Sequence, residues 1–169
     1  MRTLFTAIAL LASVSAYAQS VSPGDAVRAE VVRQKAPLLD TLRDLVSIES
    51  GSSDYDGVTR IGQLIAGRLR ALGGEVQMVP PPTNMLRFEG TPERIANSIV
   101  ARFRGRGTRK ILLLAHMDTV YQRGMLAAQP FRIDGERAYG LGIADNKHGV
   151  AVILHTLATL WRFASTTMR

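Results

Sequence analysis

His116, Asp118 and Asp145 are the residues whose types and spacing could do chemistry. An imidazole offers one lone pair, whereas a carboxylate has two oxygens and can bridge two cations a few ångströms apart. Together they form a donor set for divalent metal. An aspartate two residues from a histidine can approach the ring, fix its tautomer and raise its basicity. Asp145 lies within Gly140-Leu141-Gly142-Ile143-Ala144-Asp145-Asn146-Lys147-His148-Gly149, whose glycines let the backbone bend tightly. Alone, His116 reads as a surface histidine and Asp145 as a helix N-cap. The joint pattern is what points to metal: an apolar run, His-x-Asp, then Gly-x-x-Asp-x-Lys-x-Gly before an apolar helix. Imidazole and carboxylate suit zinc, cobalt and manganese alike.

These residues need a scaffold. Ile111-Leu112-Leu113-Leu114 reads as a buried central strand, delivering His116 to the crevice outside the carboxyl ends of a parallel sheet. Ser98 to Arg104 alternates and feeds it through the turn Gly105–Thr108. Val150 to Phe163 is apolar nearly all round, which predicts a helix inside the protein. Upstream, Ser22-Pro23-Gly24-Asp25 opens a helix with Val27, Val31 and Val32 at helical spacing. A second helix begins near Pro37, with Leu38, Leu42, Leu45 and Val46 as its apolar face. Ser47 to Asp56 is a polar loop. Val58 to Leu72 predicts an amphipathic helix stopped by Gly73-Gly74, and Glu75 to Val79 a strand ended by Pro80-Pro81-Pro82. Asp134-Gly135 marks a hairpin. Helix–strand alternation of this kind indicates an α/β layered domain.

Composition narrows the classes. The chain has 169 residues, 46% hydrophobic and 21% charged, enough for one ordinary domain and too apolar for a disordered chain. It has no cysteine, which excludes a disulfide framework, a thiolate nucleophile and Cys-ligated zinc. The net charge is +7, compatible with acidic partners without identifying one. Arg2, the apolar run Leu4 to Ala16 and Ala16-Tyr17-Ala18 predict a signal peptide over 1–18, with 19–169 as the exported portion, periplasmic or secreted. The run is too short to span a membrane, so no anchor is expected after cleavage. Export argues against a nucleic-acid partner.

On the two motifs, Ile111–Val120 and Gly142–Gly149, the sequence resembles the zinc-dependent exopeptidases and deacylases that include glutamate carboxypeptidase, acetylornithine deacetylase and succinyl-diaminopimelate desuccinylase. The glutamate carboxypeptidase branch is the most similar, through Ala115–Tyr121, Gly142–Asp145 and Ala151–Leu157. The likeness runs from about Leu38 to Phe163. It implies a three-layer helix–sheet–helix catalytic domain and a site holding two Zn2+. In that site His116 would ligate one zinc, Asp145 would bridge both, and Asp118 would be the catalytic-site carboxylate that orients His116. The implied substrate is a small peptide or folate-like amide that loses a C-terminal amino acid, glutamate above others. A homodimer is implied for the full-length protein.

The same resemblance requires a Glu-Glu pair, a further acidic ligand and a distant histidine. No acidic residue follows Asp145. The expectation is therefore an N-terminal portion of the domain, incomplete at its C-terminus, inactive by itself, weak for zinc and poorly soluble. A noncatalytic secreted remnant that binds metal or a partner is the alternative, and a basic nucleic-acid-binding module a third reading. Of the remaining residues, His148 is expected in a solvated loop, His155 as a satisfied groove histidine, Lys147 as a structural residue of the loop and Trp161 in the core. Arg102, Arg104, Arg106, Arg109 and Lys110 are expected to surround a solvated hairpin.

Overall fold

The structure is a computed structural model and describes residues 22–166. The expected signal segment lies outside them. Among the described residues four α-helices carry most of the regular structure: α1 (Pro23–Arg33), α2 (Lys35–Val46), α3 (Tyr55–Ala71) and α4 (His148–Thr166). Between α3 and α4 lie β1 (Glu75–Val79), β2 (Ser98–Arg102), β3 (Arg132–Asp134) and β4 (Arg137–Tyr139). The chain is thus a mixed α/β protein.

Local chemistry explains most boundaries. Ser22 caps α1, its Oγ accepting from the Asp25 N–H at 3.2 Å, with proline in the first turn. Asp54 caps α3 by accepting from Gly57 N at 3.0 Å. Gly73, at φ +85°, ends α3 in the left-handed conformation. The apolar face predicted for α2 is the one that packs: Leu42, Leu45 and Val46 are buried against Ile61, Ile65 and Leu69 of α3 and Val150, Ala151 and Leu154 of α4. β1 and β2 pair antiparallel, Glu75 opposite Arg102 and Val79 opposite Ser98, and set Val76, Ile99 and Ala101 against this core. Phe103 continues the inward face just beyond the ladder. β3 and β4 close the hairpin around Gly135.

Two groups of expectations fail. Ile111–Leu114 forms no strand; Ile111, Leu112 and Leu114 are 84%, 86% and 86% exposed. A central strand needs a ladder partner, and among the described residues β1 and β2 pair only with each other. Consequently the bend at 106–108 closes no hairpin, although the basic residues around it are exposed and Arg104 Nε reaches Glu75 Oε1 at 2.9 Å. The described ladders are both antiparallel, in two separate pairs, rather than one parallel sheet. Second, α4 is not buried all round. It packs on α1 and α2 along one side and leaves Val152 and Leu160 47% and 57% exposed, while Trp161, two turns beyond Leu154 on the packed side, is 53% exposed. Trp161 therefore sits at the edge of the core, its indole lying against Gly73.

In α1 the valines at helical spacing stay exposed, and Glu30 is the residue turned inward. Its carboxylate accepts from Gln34 Nε2 at 2.8 Å and Arg33 Nε at 3.0 Å, and Arg162 lies nearby. Such bonds offset the cost of withdrawing a charge from water.

An exposed apolar run without ladder partners favours self-association. Leu112→Lys/Leu114→Lys is expected to reduce association in light scattering while leaving the melting temperature unchanged. A monomeric, freely soluble parent chain would contradict this.

Candidate metal centre

The site is built where residues 115–119, 48–52 and 142–149 meet. Thr119 forms a parallel bridge with Gly51, its N–H donating to Ser50 O at 2.8 Å while Ser52 N–H donates to Thr119 O at 2.8 Å. Ser50 Oγ adds a bond to Met117 O at 2.9 Å. The stretch carrying His116 is thereby fixed at its far end, despite the unpaired run before it.

Gly142 and Gly149 bring the aspartate turn alongside. Gly142 takes φ +75°, and a Cβ there would stand 2.4 Å from Thr119 Cγ2. A Cβ at Gly149 would stand 2.0 Å from Asn146 Oδ1 and 3.4 Å from Ala115 Cβ. Position 142 therefore requires glycine for close approach, while a side chain at Gly149 would have to displace the Asn146 amide. Between them, Ile143–Lys147 makes an irregular turn in which Asp145 and Asn146 leave helical geometry, and the Asp145–Asn146 peptide is cis. Lys147 ties this turn to the opposite loop. It is only 1% exposed, and its Nζ donates to Ile48 O at 2.7 Å. Burial lowers its pKa from 10.5 to about 8, against the opposing pull of the Glu49 carboxylate.

His116 and Asp145, distant in sequence, are brought together: Nε2 lies 2.8 Å from Asp145 Oδ1. The other ring nitrogen, Nδ1, lies 3.0 Å from the Asp118 carbonyl oxygen and 3.3 Å from Asp118 Oδ1. A carbonyl oxygen only accepts, so Nδ1 carries a hydrogen and donates it. Nε2 is then the nitrogen free to ligate, and its partner in this structure is the Asp145 carboxylate. Burial pushes the imidazole pKa down, but the Asp145 hydrogen bond, the Asp118 carbonyl and the two carboxylate charges outweigh it, and the pKa is raised above 6.5.

The donor set fits a divalent cation in kind: an imidazole nitrogen that can ligate once its proton is lost, oriented by a partner on its other side, next to a carboxylate whose side chain is 79% exposed and can turn. It is small in number. Among the described residues no group of three His, Cys, Asp or Glu side chains converges for a metal.

The other histidines lie elsewhere. His148 stands exposed in the first turn of α4 and donates to Ile143 O at 2.8 Å. His155 is a satisfied groove residue, bonded through Nδ1 to Gln34 Oε1 at 2.7 Å and through Nε2 to Thr41 Oγ1 at 2.9 Å. Sequence reasoning missed Glu49, Ser50 and Ser52. Glu49 Oε1 accepts from Gly124 N at 2.7 Å and Leu126 N at 3.0 Å, and Ser52 Oγ donates to Asp118 Oδ2 at 2.7 Å. The available signal was small hydroxyl residues flanking Gly51, a composition suited to side-chain-to-backbone bonding.

Residues 112–167, which contain His116, Asp118 and Asp145, match the model of Peptidase family M20/M25/M40. Carboxypeptidase G2 of Pseudomonas sp. (strain RS-16) is 36% identical over 159 residues, which is 94% of this chain and 36% of that protein. Acetylornithine deacetylase of Edwardsiella ictaluri is 33% identical over 115 residues, 66% of this chain and 27% of the relative. Succinyl-diaminopimelate desuccinylase of Corynebacterium glutamicum is 39% identical over 67 residues, 40% of this chain and 17% of the relative. The chain spans about a third of carboxypeptidase G2 and less of the other two. The class these matches define is a family of hydrolases. The chain belongs to Peptidase family M20/M25/M40.

Two titrations follow. His116 is expected to titrate above 6.5 by NMR, and lower in Asp145→Asn. A raised pKa in the folded state stabilises fully below 6.5 and loses that contribution as pH rises through the folded value. The stability advantage over Asp145→Asn should fade in that direction. Lys147 acts oppositely, because the unfolded chain keeps its proton up to about 10.5 and the folded chain only to about 8. Denaturation should show stability rising between those values, and Lys147→Met should flatten the rise.

Proposed function

We propose that this chain supplies the histidine and bridging-aspartate part of a zinc-dependent exopeptidase centre. The reaction is hydrolysis of an amide that releases a C-terminal amino acid, glutamate from a peptide or folate-like substrate being the favoured case. The observation that carries the reading is His116 Nε2 meeting Asp145 Oδ1 at 2.8 Å while Nδ1 is engaged by Asp118. His116 would hold one zinc through Nε2, and Asp145, turned outward, would bridge two. Asp118 keeps the ring in the tautomer that leaves Nε2 available. Bound zinc would supply Lewis acidity and a water of lowered pKa. The proposal includes the three-layer domain, export beyond the cytoplasm and a homodimer of the full-length protein.

Two ligands fall short of the three protein ligands that catalytic zinc sites use. This chain by itself is therefore expected to bind zinc weakly in calorimetry and to release no measurable glutamate. Zinc-dependent release by the isolated chain would overturn that expectation. A noncatalytic metal- or partner-binding role is the second reading, favoured by the same shortage of ligands and by the exposed Ile111–Leu114 run.

A chimera separates them. Placed in carboxypeptidase G2 of Pseudomonas sp. (strain RS-16) in place of the matching segment, this chain should sustain zinc-dependent hydrolysis. His116→Ala and Asp145→Asn should each abolish it. A soluble chimera without activity would favour the noncatalytic reading.

A further inference from the structure

We infer that Ser52 is a positioning residue for the metal centre: its hydroxyl holds the Asp118 carboxylate against His116. The inference rests on the proposed centre and adds a residue outside both sequence motifs. Asp118 is 42% exposed, and an aspartate that exposed samples several rotamers unless something holds it. Ser52 Oγ donates to Asp118 Oδ2 at 2.7 Å, leaving Oδ1 turned to His116 Nδ1 at 3.3 Å. Thr119 O lies farther from the same hydroxyl, at 3.1 Å. A hydroxyl has one hydrogen, and the nearer, charged acceptor makes the stronger bond.

The hydroxyl is itself placed by backbone. Ser52 N–H donates to Thr119 O at 2.8 Å, and Thr119 N–H to Ser50 O at 2.8 Å, so Ser52 and Asp118 are held side by side. The order of contact is Ser52 to Asp118, Asp118 to His116, His116 to Asp145. Removing the hydroxyl leaves the backbone bonds intact and frees only the carboxylate. Because Ser52 is exposed, a methyl group added there by threonine meets solvent.

The test compares Ser52→Ala, Ser52→Thr and, as control, Ser53→Ala in the whole chain. In the metal-free protein at one pH, the His116 Nδ1–H, bonded to the Asp118 carbonyl with Oδ1 beside it, should shift in its NMR signal in Ser52→Ala as that carboxylate moves off, and stay in place in the other two. Zinc titration alone should show affinity falling roughly 10–100-fold in Ser52→Ala, with threonine restoring it. Melting temperatures should agree across the set. An unchanged signal in Ser52→Ala, or a loss that threonine does not rescue, overturns the inference. If the parent chain binds no zinc, the metal reading fails, and the imidazole signal still decides whether Ser52 positions Asp118.

Discussion

The site depends on one buried cation. Lys147 is the largest fully buried side chain among the described residues, and an ammonium withdrawn from water is costly unless it is bonded. Its bond to Ile48 O joins the turn that bears Asp145 to the loop that bears Ser50 and Ser52. That loop in turn fixes Met117 and Thr119 on either side of Asp118. The lysine thus ties together the two halves of the donor set, whose close approach Gly142 permits. Its position between Asp145 and α4 also explains why the turn is irregular. A regular helix from Ile143 would send the lysine along a different bearing, whereas the break at Asp145 and Asn146 lets Lys147 turn inward while Asp145 turns out.

Much of this was legible. Periodicity gave α2 and α3 with their buried faces, the Ser22–Asp25 turn cluster opened α1, and Gly73 and Gly135 marked a helix end and a hairpin, whereas the Asp54 cap of α3 lay in what read as loop. Each of these is decided by contacts within a few residues. The meeting of His116 with Asp145 was also anticipated, though from the pairing of two motifs rather than from either one. What was not legible depends on non-local neighbours. Four apolar residues at 111–114 read as a buried strand only if another strand runs beside them, and none among the described residues does. The same holds for α4, whose outward face also carries apolar residues, Val152 and Leu160 among them. Glu30 turned inward and Ser52 turned to Asp118 were invisible for a related reason, since their partners determine their meaning.

The exposed run and the fixed site are compatible because they are held by different bonds. Thr119 is bridged to Gly51 and packed under Gly142, so the segment is anchored after His116 rather than before it. Local stability of this kind is graded along a chain, with free energies of opening set by the contacts each stretch makes. His116 therefore stands at a boundary, with the unpaired residues on one side and the bonded loop on the other. Its orientation is owed to Asp118 and Asp145 more than to the residues that precede it.

That dependence shapes how a cation would enter. When His116 is protonated, its Nε2–H points at Asp145 Oδ1, along the direction in which the imidazole lone pair would meet a metal. Metal binding must release that proton, so affinity rises with pH wherever the imidazole is still protonated. The nearby carboxylates act twice in this balance. They raise the proton affinity of His116, and they also attract any divalent ion that replaces the proton. Because a divalent ion carries twice the charge, the same field favours the exchange once such an ion is available. Asp118 contributes to that field from the Nδ1 side of the ring, where it leaves Nε2 unobstructed.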